Sequence, residues 1–160
     1  MTPTGFVRWL LDGALTIQRR MGLSAKFMIA QAALETGWGA RIVADDASGV
    51  CSNNLFNIKA GKSWLGPVAR CWTHEFVHGE RVAVQAEFRA YATPQQSFED
   101  YARLISLNSR YAQAWAVRAD LPAFAHTLQA AGYATDPAYA EKILQISDNL
   151  VHKGFEEGAP

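Results

Sequence analysis

A single carboxylate stands at the end of an otherwise apolar, helix-favouring segment. Residues 24–39 read SAKFMIAQAALETGWG, and Glu35 is the only acid among them. Ser24 is a suitable N-cap, and Gly37 and Gly39 predict the end of the helix. The C-terminal end of a helix carries partial negative charge and apolar neighbours disfavour ionisation, so both effects favour a protonated side chain. A protonated Glu can act as a general acid; a solvated Glu with no catalytic role is the alternative.

A second candidate carboxylate stands on a predicted β-hairpin. Residues 69–91 alternate in polarity on both sides of His78-Gly79, which predicts two strands joined by a two-residue turn. Such a turn places Glu75 on the more apolar face, where a charge is costly unless it has a partner or a function. Glu87 falls among arginines on the other face and is interpreted as structural. The predicted apolar face carries Cys71, Thr73, Glu75, Val77, Val82, Val84, Ala86 and Phe88.

The same hairpin contains a zinc-peptidase pattern. Residues 74–78 read HEFVH, which matches H-E-x-x-H. The pattern works on a helix, which brings both histidines onto one face. On a strand, His74 and His78 would be roughly 13 Å apart at about 3.3 Å per residue, too far to share one metal ion. A zinc metallopeptidase using His74, Glu75 and His78 is therefore a minor alternative, and neither a metal nor a cofactor is expected.

Composition sets further bounds. A chain of 160 residues predicts one domain, placed at residues 1–152, with residues 153–160 as a flexible tail. The 15 basic and 15 acidic residues cancel and form no long run, which argues against a nucleic-acid-binding protein. No apolar run is long enough to insert in a membrane, and charges interrupt the N-terminal one, unlike a signal peptide. Export by another route, or excision from a longer protein, is expected. For Cys51 and Cys71, a disulfide and two small core residues both remain open.

Periodicity predicts four further helices around the two candidate acids. The first covers residues 3–20, and the start signals Thr93-Pro94, Asp120 to Pro122, and Asp136-Pro137 begin the other three. Between the Glu35 helix and the hairpin, residues 40–67 are rich in Gly, Ser, Asn and Asp with scattered aromatic residues. This composition predicts an ordered loop that forms a binding wall beside the Glu35 helix.

Several motifs, in order, resemble one enzyme family. QAALETGWG, NLFNIKAGKSW, WTHEF, FRAY and AGYATDPAYAEKI follow one another through nearly the whole chain. Together they resemble the glucosaminidase domain of family 73 glycoside hydrolases. The resemblance implies an α+β, mostly α, lysozyme-like fold, with a helical lobe, a small β-hairpin lobe and a cleft between them. It also implies hydrolysis of the β-1,4 bond between N-acetylglucosamine and N-acetylmuramic acid in peptidoglycan, by a monomer in the periplasm or outside the cell.

The resemblance assigns roles to particular residues. It implies that Glu35 is the catalytic acid, that Glu75 is its partner on the hairpin, and that Tyr133 faces the same cleft. The expected substrate-binding residues are Trp38, Asn54, Phe56 and Asn57. The alternative, purely structural roles are packing for Trp38 and Phe56, holding a turn for Asn54, and filling the corner at Gly132 for Tyr133.

The chemistry of glycoside cleavage agrees with this assignment. The leaving oxygen needs a proton, and the oxocarbenium-like charge needs stabilisation, usually from two carboxylates. Glu35 and Glu75 are predicted to be the least hydrated acids of the chain. Attack by a carboxylate, by water, or by the N-acetyl group of the substrate all remain open at this level. A non-catalytic scaffold that binds glycan strands is the alternative function; such a scaffold would keep its function after Glu35→Gln.

Overall fold

Six helices and one two-stranded antiparallel sheet form within residues 1–157, the part of the chain that the computed structural model describes. The helices are α1 (Pro3–Met21), α2 (Ala25–Thr36), α3 (Pro94–Leu107), α4 (Ala112–Ala116), α5 (Leu121–Ala130) and α6 (Tyr139–Asp148). The strands are β1 (Val68–Val77) and β2 (Glu80–Arg89), and short 3-10 turns cover Ser109–Tyr111 and Val151–Lys153. The predicted α+β, mostly α, fold class is confirmed.

Helix α2 runs through the core and carries Glu35 in its last turn. The Ser24 hydroxyl accepts a hydrogen bond from the Phe27 amide at 3.2 Å, as expected of an N-cap. Nine of the twelve residues of α2 are buried, so the helix has no wide polar face and is covered on several sides. It packs against α1, α5 and α6. Gly37 adopts a left-handed φ of 57° and its amide donates to the Ala33 carbonyl, which ends the helix at Thr36, one residue after Glu35.

The hairpin forms with the predicted register. Cys71 pairs with Ala86, and Glu75 with Val82. His78 and Gly79 have φ values of 51° and 82°, the positive angles that a two-residue hairpin turn of type I′ requires. One face of the hairpin base is buried, whereas most residues nearer the turn are exposed. The buried part therefore anchors the hairpin, and its tip extends into solvent.

The loop before the hairpin is ordered by backbone pairing with β2, as its composition predicts. The Ala60 amide donates to the Glu87 carbonyl at 2.9 Å, and the Arg89 amide donates to the Ile58 carbonyl at 3.0 Å. Farther back, an Asp45 carboxylate oxygen accepts the Arg70 amide of β1 at 2.9 Å. This bond is the main cause that lowers the pKa of Asp45. The loop is thus fastened to both strands.

Helix α4 and the end of the chain differ from the sequence-based expectations. The short helix α4 was not predicted, because a five-residue helix is too short to show a period. Phe155 falls in the stretch expected to be a flexible tail, yet its side chain is 3% exposed and belongs to the core. The core therefore extends beyond the predicted domain end at 152, and residues 158–160 of that tail lie outside the described residues.

The two cysteines are not linked by a disulfide. Cys51 and Cys71 are both free thiols; Cys51 is exposed and Cys71 only partly buried, so neither is the small core residue that was the alternative to a disulfide. Burial raises the pKa of the Cys71 thiol.

Within residues 1–157, no helix combines the length and the apolar character that crossing a membrane requires.

Candidate active site

Glu35 makes side-chain contacts with two residues that are distant in sequence. The Tyr139 hydroxyl donates a hydrogen bond to Glu35 Oε1 at 2.6 Å. The Asn57 side-chain amide lies 3.3 Å from Glu35 Oε2 and 3.3 Å from the Glu35 carbonyl oxygen. The side chain is partly buried, in line with its position at the end of a buried helix. The structure thus joins α2, the loop and α6 at one carboxylate.

The Tyr139 hydroxyl also accepts a hydrogen bond from a buried glutamine. Gln31 Nε2 donates to the Tyr139 hydroxyl oxygen at 2.9 Å, and Gln31 is 0% exposed. Burial is the largest cause that raises the pKa of Tyr139 well above its usual range, and the nearby Tyr133 and Glu35 add to it. Tyr139 is therefore a neutral phenol near neutral pH and can act as a hydrogen-bond donor.

Tyr133 belongs to the same aromatic cluster. Its ring centroid is 5.9 Å from those of Tyr111 and Tyr139 and 6.3 Å from that of Tyr101. Burial, followed by the negative charge of Glu35, raises the pKa of Tyr133 well above its usual range. Tyr133 thus lies near Glu35, but the direct bond to that carboxylate comes from Tyr139, and a role for Tyr133 in a cleft stays a prediction.

The turn that carries Tyr133 is fixed by an arginine. Arg110 Nε donates to the Ala131 carbonyl at 2.6 Å, and Arg110 Nη2 donates to the Gly132 carbonyl at 2.9 Å. Gly132 has a φ of 78°, which favours glycine, and an added Cβ would lie only 2.5 Å from Arg110 Nη2. The glycine at this corner therefore allows the close approach of the guanidinium.

The two asparagines of the NLFNIK motif have different roles. Asn54 is 0% exposed; its Nδ2 donates to the Ile58 and Arg89 carbonyls at 2.9 and 2.8 Å. Its Oδ1 accepts from the Ile58 amide at 3.1 Å. Asn54 thus holds the turn, which is the structural role weighed for it. Asn57, at a positive φ of 52°, points its amide at Glu35 and is the asparagine that reaches the candidate site.

The two aromatic candidates both pack against the core. Phe56 is 3% exposed and stacks on Tyr101 with ring centroids 4.0 Å apart. Its ring faces are therefore not available to a sugar, and packing is the role that the structure supports. Trp38 is only partly buried; it meets Phe6 edge to face at 5.9 Å. For Trp38, packing is observed and sugar stacking stays a prediction.

Glu75 lies in a more hydrated environment than the sequence predicts. Its side chain is 47% exposed and pairs with Lys59 Nζ at 2.9 Å. Its neighbours Val77 and Val82 are 44% and 39% exposed, so this end of the apolar face is not covered. The expectation that Glu75 is among the least hydrated acids is therefore wrong, because alternation identifies a face but not whether another element covers it.

The zinc-peptidase pattern does not have the helical geometry that it needs. His74 and Glu75 lie on β1, and His78 is in the turn that follows it. Successive strand residues point to opposite faces, so His74 and Glu75 do not share one. Within residues 1–157, no three His, Cys, Asp or Glu residues are grouped closely enough to hold a metal ion.

Sequence reasoning missed Tyr139 and Gln31. Tyr139 falls in the helix predicted to begin at Asp136-Pro137 and Gln31 in the helix that carries Glu35, but no sequence pattern predicts a contact between Tyr139 and Glu35. Two signals point to them: a buried tyrosine hydroxyl usually has a hydrogen-bond partner, and Gln31 precedes Glu35 by four residues on one helix face. Neither signal identifies the partner, because Tyr139 is 104 residues from Glu35 in sequence.

The fold and the carboxylate at the end of α2 define the class. A mostly helical domain with a small hairpin and a hydrogen-bonded glutamate at a helix end has the organisation of lysozyme-like glycoside hydrolases. Residues 11–151 match the glucosaminidase family, described as mannosyl-glycoprotein endo-beta-N-acetylglucosaminidase. The chain belongs to this family of glycoside hydrolases.

Relatives and solved structures agree with this membership. The chain is 42% identical over 149 residues to peptidoglycan hydrolase FlgJ of Vibrio parahaemolyticus, covering 93% of the chain and 48% of FlgJ. It is 44% identical over 145 residues to FlgJ of Pseudomonas aeruginosa, covering 91% of the chain and 36% of that protein. It thus spans about half or less of these relatives. A truncated glycoside hydrolase domain of Salmonella typhimurium FlgJ superposes with a TM-score of 0.80 at 38% identity, covering 94% of this chain and 99% of that one.

Proposed function

We propose that this chain is a peptidoglycan hydrolase that cleaves the β-1,4 bond between N-acetylglucosamine and N-acetylmuramic acid, with Glu35 as the general acid. The observation that carries the proposal is the Glu35 carboxyl group at the end of α2, bonded to Tyr139 at 2.6 Å, in a chain of the glucosaminidase family. The relatives named peptidoglycan hydrolases support the choice of substrate. The chain then acts at the cell wall, in the periplasm or outside the cell, as a monomer.

In this proposal Glu35 gives its proton to the glycosidic oxygen. The bond from that oxygen to the anomeric carbon breaks with its electron pair on the oxygen, and positive charge develops on the sugar ring. Glu75 is the second carboxylate, which stabilises that charge or activates a water molecule. Tyr133, a neutral phenol near Glu35, supplies a hydrogen-bond donor to the sugar. Asn57, whose amide faces Glu35, borders the same site.

The pairing of Glu75 with Lys59 is compatible with a catalytic role for Glu75. The two side chains are 47% and 61% exposed. Such surface pairs contribute only about 0–1 kcal/mol to stability, so a bound sugar can replace Lys59 at little cost.

The chemical ends of the digestion products test the proposed bond. We expect purified sacculi digested with the chain, then reduced and analysed by mass spectrometry, to yield fragments with N-acetylglucosamine at the new reducing end. A muramidase leaves N-acetylmuramic acid there, and a transglycosylase leaves an anhydro sugar. Either of these ends would contradict the proposed bond, and a glycan-binding scaffold would release no fragments.

Glu75→Gln tests the second carboxylate. We expect the substitution to slow the release of reducing ends about 100-fold, because a positioned acid or base typically contributes 10²–10⁴-fold. The free energy of unfolding, measured by thermal denaturation, should change by less than about 0.5 kcal/mol, because the ion pair of Glu75 with Lys59 is exposed.

Glu87→Gln is the matched control for Glu75→Gln. Glu87 lies on the same hairpin, is 45% exposed, and pairs with Arg70 at 2.7 Å. Loss of this pair should leave the hydrolysis rate unchanged, because Glu87 occupies the opposite face from Glu75. Equal rates for the two variants would remove Glu75 from the mechanism.

A further inference from the structure

The two carboxylate oxygens of Glu35 have unequal partners. Oε1 accepts the Tyr139 hydroxyl at 2.6 Å, which is short for an O–H···O hydrogen bond. Oε2 lies 3.3 Å from Asn57 Nδ2, longer than a typical N–H···O bond. A protonated carboxyl group carries its hydrogen on one oxygen. Because Oε1 is engaged as an acceptor, Oε2 is the oxygen that is left to carry it.

The direction of the Tyr139 bond follows from Gln31. Gln31 Nε2 donates to the Tyr139 hydroxyl oxygen at 2.9 Å, which leaves the single phenolic hydrogen for Glu35. Gln31 and Glu35 are four residues apart on α2 and therefore lie on one helix face. Tyr139 is the first residue of α6, which packs against α2. The three side chains thus form a hydrogen-bonded chain between two packed helices.

Burial gives this chain of hydrogen bonds a fixed geometry. Gln31 is 0% and Tyr139 5% exposed, so little water can compete for either bond. The same burial keeps both side chains from touching a sugar. Any effect of Tyr139 or Gln31 on catalysis therefore acts through Glu35.

We propose that Tyr139, oriented by Gln31, is a positioning residue that fixes Oε1 of Glu35 as an acceptor and leaves Oε2 to deliver the acidic proton. This inference rests on the proposed function of Glu35 as the general acid. The hydrogen moves from Oε2 to the glycosidic oxygen, while the carboxylate that forms keeps its bond to Tyr139. That bond is charge-assisted after the transfer, which stabilises the product state of the acid.

Tyr139→Phe removes the hydroxyl and keeps the ring. We expect kcat on soluble peptidoglycan strands to fall about 10- to 100-fold, and KM to stay within about twofold because Tyr139 does not touch substrate. A donor to a carboxylate favours the ionised form. Without the Tyr139 hydroxyl, Glu35 should therefore stay protonated to higher pH. The alkaline limb of the pH profile of kcat should move to higher pH accordingly.

Tyr91→Phe is the matched control. The Tyr91 hydroxyl donates to Asp100 Oδ2 at 2.6 Å, and Tyr91 is 8% exposed. Both substitutions delete a tyrosine–carboxylate bond of equal length at nearly equal burial. We expect both to lower the unfolding temperature, Tyr139→Phe by more because it also removes the acceptor of Gln31 Nε2, but wild-type kcat and pH profile for Tyr91→Phe. A Tyr139→Phe enzyme that matches this control in kcat and pH profile overturns the proposal.

Gln31→Met tests the second link of the chain. Methionine has a similar length but cannot donate a hydrogen bond to Tyr139. We therefore expect kcat to fall, but by less than in Tyr139→Phe. Because Gln31 acts through Tyr139, the double variant Gln31→Met/Tyr139→Phe should be no slower than Tyr139→Phe alone. A double variant whose losses multiply overturns the role of Gln31.

A measurement without substrate separates this proposal from the proposed function. The titration of the Glu35 carboxyl carbon, followed by ¹³C NMR, should shift its midpoint to higher pH in Tyr139→Phe and not in Tyr91→Phe. If the wild-type chain releases no reducing ends but this shift occurs, the proposed function fails and the positioning contact holds. If the wild type is active and the midpoint does not move, the positioning role is wrong and the function stands.

Discussion

Glu35→Gln should lower the rate of peptidoglycan hydrolysis at least about 1,000-fold, because a neutral amide cannot deliver a proton to the leaving oxygen. The amide keeps the shape of the carboxylate, and its carbonyl oxygen can still accept the Tyr139 hydroxyl. Binding to sacculi should therefore persist while the release of reducing ends stops. Co-sedimentation with sacculi and a reducing-end assay measure the two properties separately.

The stability of the same variant gives an independent result. Glu35 lies at the negative end of the α2 dipole, where an ionised carboxylate typically destabilises a helix by about 0.3–1 kcal/mol and a neutral side chain does not. We therefore expect an unchanged or slightly raised unfolding temperature for Glu35→Gln. Glu141→Gln, at an exposed position on α6, is the control that should retain full activity. Digestion by Glu35→Gln at the wild-type rate would refute Glu35 as the acid.

Phe56→Ala should destabilise the chain by about 3–5 kcal/mol, the usual cost of deleting a buried aromatic ring. The ring is 3% exposed, stacks on Tyr101 at 4.0 Å and meets Phe98 edge to face at 5.7 Å. For a domain of this size the unfolding temperature should drop by roughly 10 °C. Thermal unfolding followed by circular dichroism measures the drop.

Two further substitutions distinguish packing from sugar binding at this position. Phe76→Ala, on the exposed part of β1, removes a ring that is 77% exposed and should change stability by less than about 0.5 kcal/mol. Phe56→Leu keeps most of the buried volume and should retain the wild-type KM. A raised KM with unchanged stability in Phe56→Leu would instead indicate a sugar contact.

Local signals were sufficient for most of the secondary structure. Ser24 and Gly37 delimit α2 because a hydroxyl cap and a left-handed glycine act on the nearest backbone groups. The His78-Gly79 turn sets the hairpin register, since a two-residue loop leaves one pairing. The short helix α4 had no such signal. Burial of Phe155 likewise depends on contacts with distant parts of the chain.

The candidate site was predicted in part. Glu35 and Asn57 meet, and Tyr133 lies nearby, whereas the roles of these residues in catalysis and substrate binding stay predictions. Asn54 serves the turn and Phe56 the core, which the motif alone did not distinguish from sugar binding.

The sequence by itself determined that one carboxylate ends α2 and that Glu75 shares a hairpin face with Val82, because caps, turns and strand alternation operate within a few residues. Only the tertiary structure decided that Tyr139 bonds Glu35, that Gln31 orients Tyr139, and that Lys59 pairs with Glu75. Tyr139 lies 104 residues from Glu35 and 108 residues from Gln31 in the chain. Such contacts depend on how α2 and α6 pack, which no local pattern specifies.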